Sequence, residues 1–139
     1  MTIAPPPPPP RWKWYFLSAL IFAGFLYITD TLLFGFIAPD YFRLPGMKNQ
    51  PEMGSMAIGY ILGGLLFCYA YVHLVRDKVA VTGWYFGMVV ALLIFLPSAF
   101  IYNSLMEEYK LVVALVECLF RVIQFGIAGR LVGPLLKKQ

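Results

Sequence analysis

The sequence predicts an all-α protein, a four-helix transmembrane bundle with both termini cytoplasmic. Three observations carry that prediction. Only 13% of the 139 residues are charged and 60% are hydrophobic, whereas an ordinary soluble domain carries about 25% charge. The apolar residues gather into four stretches, each near the ~20 residues needed to cross a hydrocarbon core of ~30 Å. Most of the basic residues sit at the ends of those stretches. So little charge makes a water-facing surface hard to build, and lipid is the better solvent for the excess apolar side chains.

The chain divides into a proline-rich cytoplasmic tail over 1–13, a four-helix transmembrane domain over 14–136, and a basic C-terminal tail over 137–139. Pro5 to Pro10 are six consecutive prolines. They have no N–H to donate and a fixed φ, so they form a polyproline II segment, a stiff spacer or a docking peptide for an aromatic groove.

The first helix is expected from about Trp14 to Ile37. Trp12, Trp14 and Tyr15 form an aromatic belt at its start, and Pro39 ends it. Its apolar run is too long for a signal-peptide core, so it is read as retained. Pro45, Gly46 and Pro51 mark the following loop as turn-forming. The second helix is expected from about Met53 to Val75, ending at His73, Arg76, Asp77 and Lys78. The third runs from about Val79 to Tyr102, with Pro97 inside it and a kink expected there. Asn103 to Glu108 make the next turn. The fourth runs from about Tyr109 to Val132, with Gly133 and Pro134 ending it.

Orientation follows from the short loops. The N-tail, the 2–3 loop and the C-tail hold Arg11, Lys13, Arg76, Lys78, Arg130, Lys137 and Lys138. The other two loops hold only Arg43, Lys48 and Lys110. The richer side faces the cytoplasm, so both termini lie there. The net charge of +4 therefore reflects orientation and lipid headgroups, and no nucleic-acid partner is expected.

Three glycine pairs, Gly59 and Gly63, Gly83 and Gly87, and Gly129 and Gly133, are each four residues apart. That spacing lets helix backbones approach closely in lipid, so it predicts a compact bundle, with some faces turned to another subunit or a second copy.

Three ionisable residues fall within the spans: Asp30, Glu117 and Arg121. Charge inside a membrane helix faces the bundle interior or water. Glu117 and Arg121 are four apart with the acid first, which places them on one helix face. Asp30 lies about seven residues, roughly 10 Å, from the outer end of its helix, and Glu117 lies roughly 12 Å below the same surface. Asp30, Glu117 and Arg121 are thus expected to meet in the outer half of the bundle. Asn103, Tyr102 and Thr29 sit above or beside them, and Gln124 sits just below. The cluster reads as a structural ion-pair network or as a proton, cation or polar-ligand site built from Asp30, Asn103, Glu117, Arg121 and Gln124.

His73, the one histidine, sits at the cytoplasmic end of the second helix. It reads as an interfacial residue, or as an axial ligand to a haem or chlorophyll-type pigment. Tyr60, Tyr69, Tyr71 and Phe67 read as packing or lipid contacts. Cys68 and Cys118 lie in apolar runs with no CxxC partner, so no metal site or disulfide framework is indicated. No GxSxG, HExxH, P-loop or GxGxxG occurs, and no enzyme activity or bound cofactor is expected.

The stretch Asp30-Thr-Leu-Leu-Phe-Gly35, followed by Ala38 and Tyr41-Phe42, resembles a family of small four-helix bacterial membrane proteins of unknown function. That family carries Asp-x-x-Trp-x-Gly and then an aromatic pair in its first helix. The likeness continues at Gly59-Tyr60, at Tyr102-Asn103 and at Glu117, covering the chain from Trp14 to Gly133. Here Leu33 stands in place of the tryptophan, and Arg121 stands where a small residue is usual. The resemblance implies the four-helix architecture and a bacterial inner membrane, and it implies no activity.

Three functional readings follow. The first is a non-enzymatic accessory or scaffold subunit of a larger membrane complex. The second is a small-solute or proton-linked transporter or sensor that uses the Asp30, Glu117 and Arg121 site. The third is a pigment- or quinone-binding subunit of an energy-converting complex.

Overall fold

In the computed structural model the described residues are 12–37, 52–107 and 110–137. The proline run, the turn with Pro45, Gly46 and Pro51, Pro39, and the Ala38 and Tyr41-Phe42 positions of the resemblance lie outside them. Helix α1 spans Trp12–Leu32 and passes into a π-helical segment, Leu33–Ile37; α2 spans Met53–Leu74, α3 Ala80–Leu105 and α4 Leu111–Leu136. No strand occurs among the described residues. All four helices are long and apolar enough to cross a membrane.

Cross-helix contacts fix the directions. Tyr15 donates its hydroxyl to the Leu65 carbonyl at 2.6 Å, and Phe22 stacks on Phe67 with centroids 4.2 Å apart. Further along α1, Asp30 meets Tyr60. The backbone at Ala19 lies against Gly64, and from Tyr15 to Asp30 the partner drops from Leu65 to Tyr60, so α1 and α2 are antiparallel. The same logic pairs α3 with α4, since Gly83 faces Gly129 and Gly87 faces Phe125. It also sets α1 antiparallel to α4 through Phe22 with Phe125 and Asp30 with Arg121. The bundle therefore runs up, down, up, down, and Trp12 and Leu136 share one end.

The packing is uneven. The α3–α4 contact is the most extensive, and α1 packs on both α2 and α4. By contrast α2 and α3 do not pack along their length. They meet near their short connection, where the Tyr71 hydroxyl lies 3.2 Å from both the Val79 carbonyl and Thr82 Oγ1, and Phe86 stands edge-on to Phe67 and Tyr71. Phe22, Phe67, Tyr71, Phe86 and Phe125 thus join all four helices at the terminal end of the bundle, with Ala128, Val132 and Leu136 buried beside them.

Four boundaries differ from the sequence expectation. Helix α1 starts at Trp12, so the aromatic belt is helical. Helix α3 continues through Tyr102 to Leu105, which puts Asn103 in the helix and not in a turn. Helix α4 starts at Leu111, two residues later than expected. It also does not stop at Gly133 and Pro134 but runs to Leu136. Pro134 lacks a donor there, yet Leu136 is fully buried in the core. Burying a leucine is worth about 1.5–3 kcal/mol, enough to hold the last turn on against one missing hydrogen bond.

Candidate functional site

Asp30 sits on the inner face of α1 in a register with Phe22 and Leu26, and is 2% exposed. Its neighbour Thr29 turns back on the helix, donating to the Phe25 carbonyl at 2.8 Å. A buried carboxylate costs several kcal/mol unless it is paired and hydrogen-bonded. Here the pairing is thorough. Arg121 Nη1 of α4 lies 2.5 Å from Asp30 Oδ1 and 2.6 Å from Oδ2. Gln124 Nε2, one turn along α4, lies 2.8 Å from Oδ1. The Tyr60 hydroxyl of α2 donates to Oδ2. Three helices therefore converge on one carboxylate.

Gln124 ties the cluster together. Its Oε1 accepts from Arg121 Nη1 at 2.9 Å, while its Nε2 also lies 2.5 Å from Thr29 Oγ1. The Arg121 guanidinium is flanked by two rings, Phe34 at 5.2 Å and Phe95 at 5.3 Å from its central carbon. Such cation–π contacts matter more where water is excluded. Phe34 is in the π-helical segment, a backbone variant frequent at functional sites. Nε of Arg121 is buried and has no hydrogen-bond partner among the described residues.

Glu117 plays a looser part. Its Oε1 is 3.7 Å from Arg121 Nη2, an ion pair beyond hydrogen-bond length, and its side chain is 23% exposed. It faces a small cavity of about 270 Å³ between α3 and α4, with Ser98, Tyr102 and Cys118.

A larger cavity of about 550 Å³ fills the space that α2 and α3 leave between them. Asp30, Tyr60 and Arg121 form a polar wall on it. Phe22, Phe67 and Phe125 close it toward the terminal end, and Gly59 and Gly63 line it along α2. The rest of its surface is apolar, which matches a ligand pocket with a few convergent polar groups. A side-chain carbon built on Gly59 or Gly63 meets nothing within 4 Å.

The structure thus brings Asp30, Glu117, Arg121 and Gln124 together, with Thr29 beside them. Asn103 makes none of these contacts and is exposed near the end of α3. Tyr60, read from sequence as packing, is part of the site. Its signal was depth: it lies seven residues into α2 from Met53, level with Asp30. Phe34 and Phe95 carried no comparable signal. His73 is exposed, with Nδ1 2.8 Å from the Tyr69 carbonyl and its ring against Tyr69, and it lines neither cavity. No group of three or more His, Cys, Asp or Glu side chains capable of holding a metal occurs among the described residues.

Comparison of the chain with protein-family models, curated proteins and solved structures finds no match.

Proposed function

We propose that this chain is a non-enzymatic multi-pass protein of a bacterial inner membrane, with both termini cytoplasmic, and that it binds a ligand within the bilayer as a sensor or carrier. The observation that supports binding is the wall of the α2–α3 cavity, where Asp30, Tyr60 and Arg121 converge on an otherwise apolar space of about 550 Å³. A purely structural ion pair has no need of such a space beside it. The direction of the helices rests on the Lys and Arg distribution between loops, and the bacterial membrane rests on the family resemblance.

The test is purification in mild detergent followed by solvent extraction and mass spectrometry. One non-protein species, stoichiometric with the wild-type chain and reduced at least tenfold in Tyr60→Phe, is the expected result. A chain that carries no such species contradicts the reading.

One observation favours the accessory-subunit reading. Gly59 and Gly63 keep the spacing of a helix-packing face, and a side-chain carbon built on either meets nothing within 4 Å among the described residues. Stoichiometric protein partners, lost on Gly59→Leu, would move the assignment there.

A further inference from the structure

We propose that Glu117 is a proton-binding site, separate from the α2–α3 cavity, and that it exchanges its proton with water at the loop end of the bundle, away from the termini, through the small cavity between α3 and α4.

The need for a proton follows from how the charges pair. Arg121 gives Nη1 to both oxygens of Asp30, at 2.5 and 2.6 Å, and those two charges cancel. The Glu117 carboxylate lies 3.7 Å from Nη2 of the same guanidinium, and no second cation is within ion-pair distance of it among the described residues. The cluster therefore carries one net negative charge. Such a charge inside a membrane helix is costly. One bound proton removes it, turning the carboxylate into the neutral acid with no other bond changed. Asp30 is a poorer place for that proton, because its oxygens are already engaged by Arg121, Gln124 and Tyr60. Glu117 can take up or lose a proton without breaking a short hydrogen bond.

Depth fits exchange with water. Glu117 lies six residues into α4 from Leu111, roughly 9 Å along the axis. A helix of 26 residues is ~39 Å long and overhangs a ~30 Å hydrocarbon core at both ends. Glu117 then sits just inside the hydrocarbon boundary, deep enough to make a charge costly and shallow enough for water to reach.

The way out is polar. Ser98 and Tyr102, one turn apart on α3, line the cavity with Glu117. Tyr102 is near the end of α3 and 45% exposed. Ser98 donates to the Ile94 carbonyl at 2.6 Å, and its oxygen can still accept a hydrogen bond. The volume of about 270 Å³ admits several waters, each with a liquid share of ~30 Å³. At the deep end stands Phe95, its ring against Arg121, lining both cavities.

The lining favours a proton over a metal cation. A dehydrated cation needs a shell of oxygens in place of its water. Beside one carboxylate and two hydroxyls the cavity offers apolar surface, and a guanidinium already stands against the carboxylate. A proton needs one lone pair. Among the described residues, the titratable and charged groups that bear on Glu117 are Arg121, Cys118 and, two turns nearer the loop end, Lys110 on its own helix, Tyr102 from α3, and Asp30 and Tyr60 from α1 and α2 behind Arg121.

The test counts the protons taken up by the purified full chain in detergent between about pH 8 and about pH 5, a window in which an ordinary glutamate stays mostly ionised. Glu117→Gln, and equally Glu117→Ala, is expected to take up about one proton fewer per chain than the wild type, and Glu117→Asp to keep most of that proton. Uptake unchanged in Glu117→Gln and Glu117→Ala overturns the proposal and leaves Glu117 a structural partner of Arg121. The titration is run in choline chloride and in sodium chloride at equal ionic strength. Equal uptake in the two is expected, and uptake abolished by sodium makes this an alkali-cation site and overturns the proton. The route is tested with Ser98→Cys and Phe100→Cys, each in a background of Cys68→Ala and Cys118→Ala. Phe100 is nearer the loop end, 54% exposed and outside the cavity lining. A water-soluble methanethiosulfonate is expected to modify Ser98→Cys at least tenfold faster. Phe100→Cys reacting as fast or faster overturns the water path. None of these readouts involves the α2–α3 cavity, so ligand binding there stands or falls by its own test.

Discussion

Along the seam between α3 and α4, a side-chain carbon built on Gly87 lands 2.0 Å from the Phe125 carbonyl oxygen, and one built on Gly83 lands 2.2 Å from that of Gly129. Along α2, at Gly59 and Gly63, the same construction meets nothing within 4 Å. The glycine spacing is identical in the two regions. In one it lets two backbones touch, and in the other it leaves a wall of a cavity bare. A small-residue spacing thus states that close approach is possible. What approaches, whether helix, lipid or ligand, is decided by the neighbouring element, and α3 does not close on α2.

The largest effect is expected where the contrast is sharpest. Gly87→Ala forces a methyl group onto backbone that has no flexible end to yield. Overpacking typically costs ~1–3 kcal/mol and occasionally more, and backbone against backbone, with no side chain free to move, is expected to exceed that range and to unseat the helix pair. Loss of a monodisperse species, or a large fall in melting temperature, is the readout. Unchanged melting would mean that the seam is looser than described.

Next in size is the ion pair that fastens the open side. Arg121→Gln strands the Asp30 carboxylate, and breaking a buried pair costs ~3–5 kcal/mol. Combining it with Asp30→Asn removes the stranded charge and is expected to restore most of the loss in a thermal or denaturant melt. A double variant as unstable as the single one would show that the charges are not coupled.

Tyr60→Phe is expected to cost less, ~1.5–3 kcal/mol for one hydrogen bond to a charged group. The fall should vanish when Asp30→Asn is also present, because the two residues share one bond. Additive losses in the double-mutant cycle would contradict the contact. Smallest of all is Gly63→Leu, expected within about 0.5 kcal/mol of the wild type, as for substitutions away from packed features. It sharpens the comparison because its seam counterparts cannot be enlarged.

Much of this was readable in the residues. Four apolar stretches of membrane-spanning length gave four helices, and depth counted at 1.5 Å per residue placed Asp30 level with Glu117 and Arg121. Gln124 and Thr29 came with them. The same arithmetic applied to Tyr60 would have found it, but a tyrosine between glycines on an apolar helix reads first as lipid contact. Asn103 was expected in a turn above the site. The helix instead continues to Leu105 and leaves it exposed, because nothing in the local sequence breaks α3 before Met106. Phe34 and Phe95 depend on a π-helical segment and on a helix rotation, both properties of the assembled bundle. Pro134 shows the same priority at the terminal end, where burial of Leu136 outweighs a local stop signal.

The central claim is that the gap between α2 and α3 stands open to the bilayer. Its most direct test is Gly63→Trp in a background of Trp12→Phe, Trp14→Phe and Trp84→Phe, reconstituted in lipids brominated along the acyl chain. Strong quenching of the single tryptophan in a well-folded, monodisperse protein is the expected result. A folded protein whose tryptophan is shielded from brominated lipid, or one that cannot accommodate the ring, would contradict an opening to lipid and place a covering helix on that face.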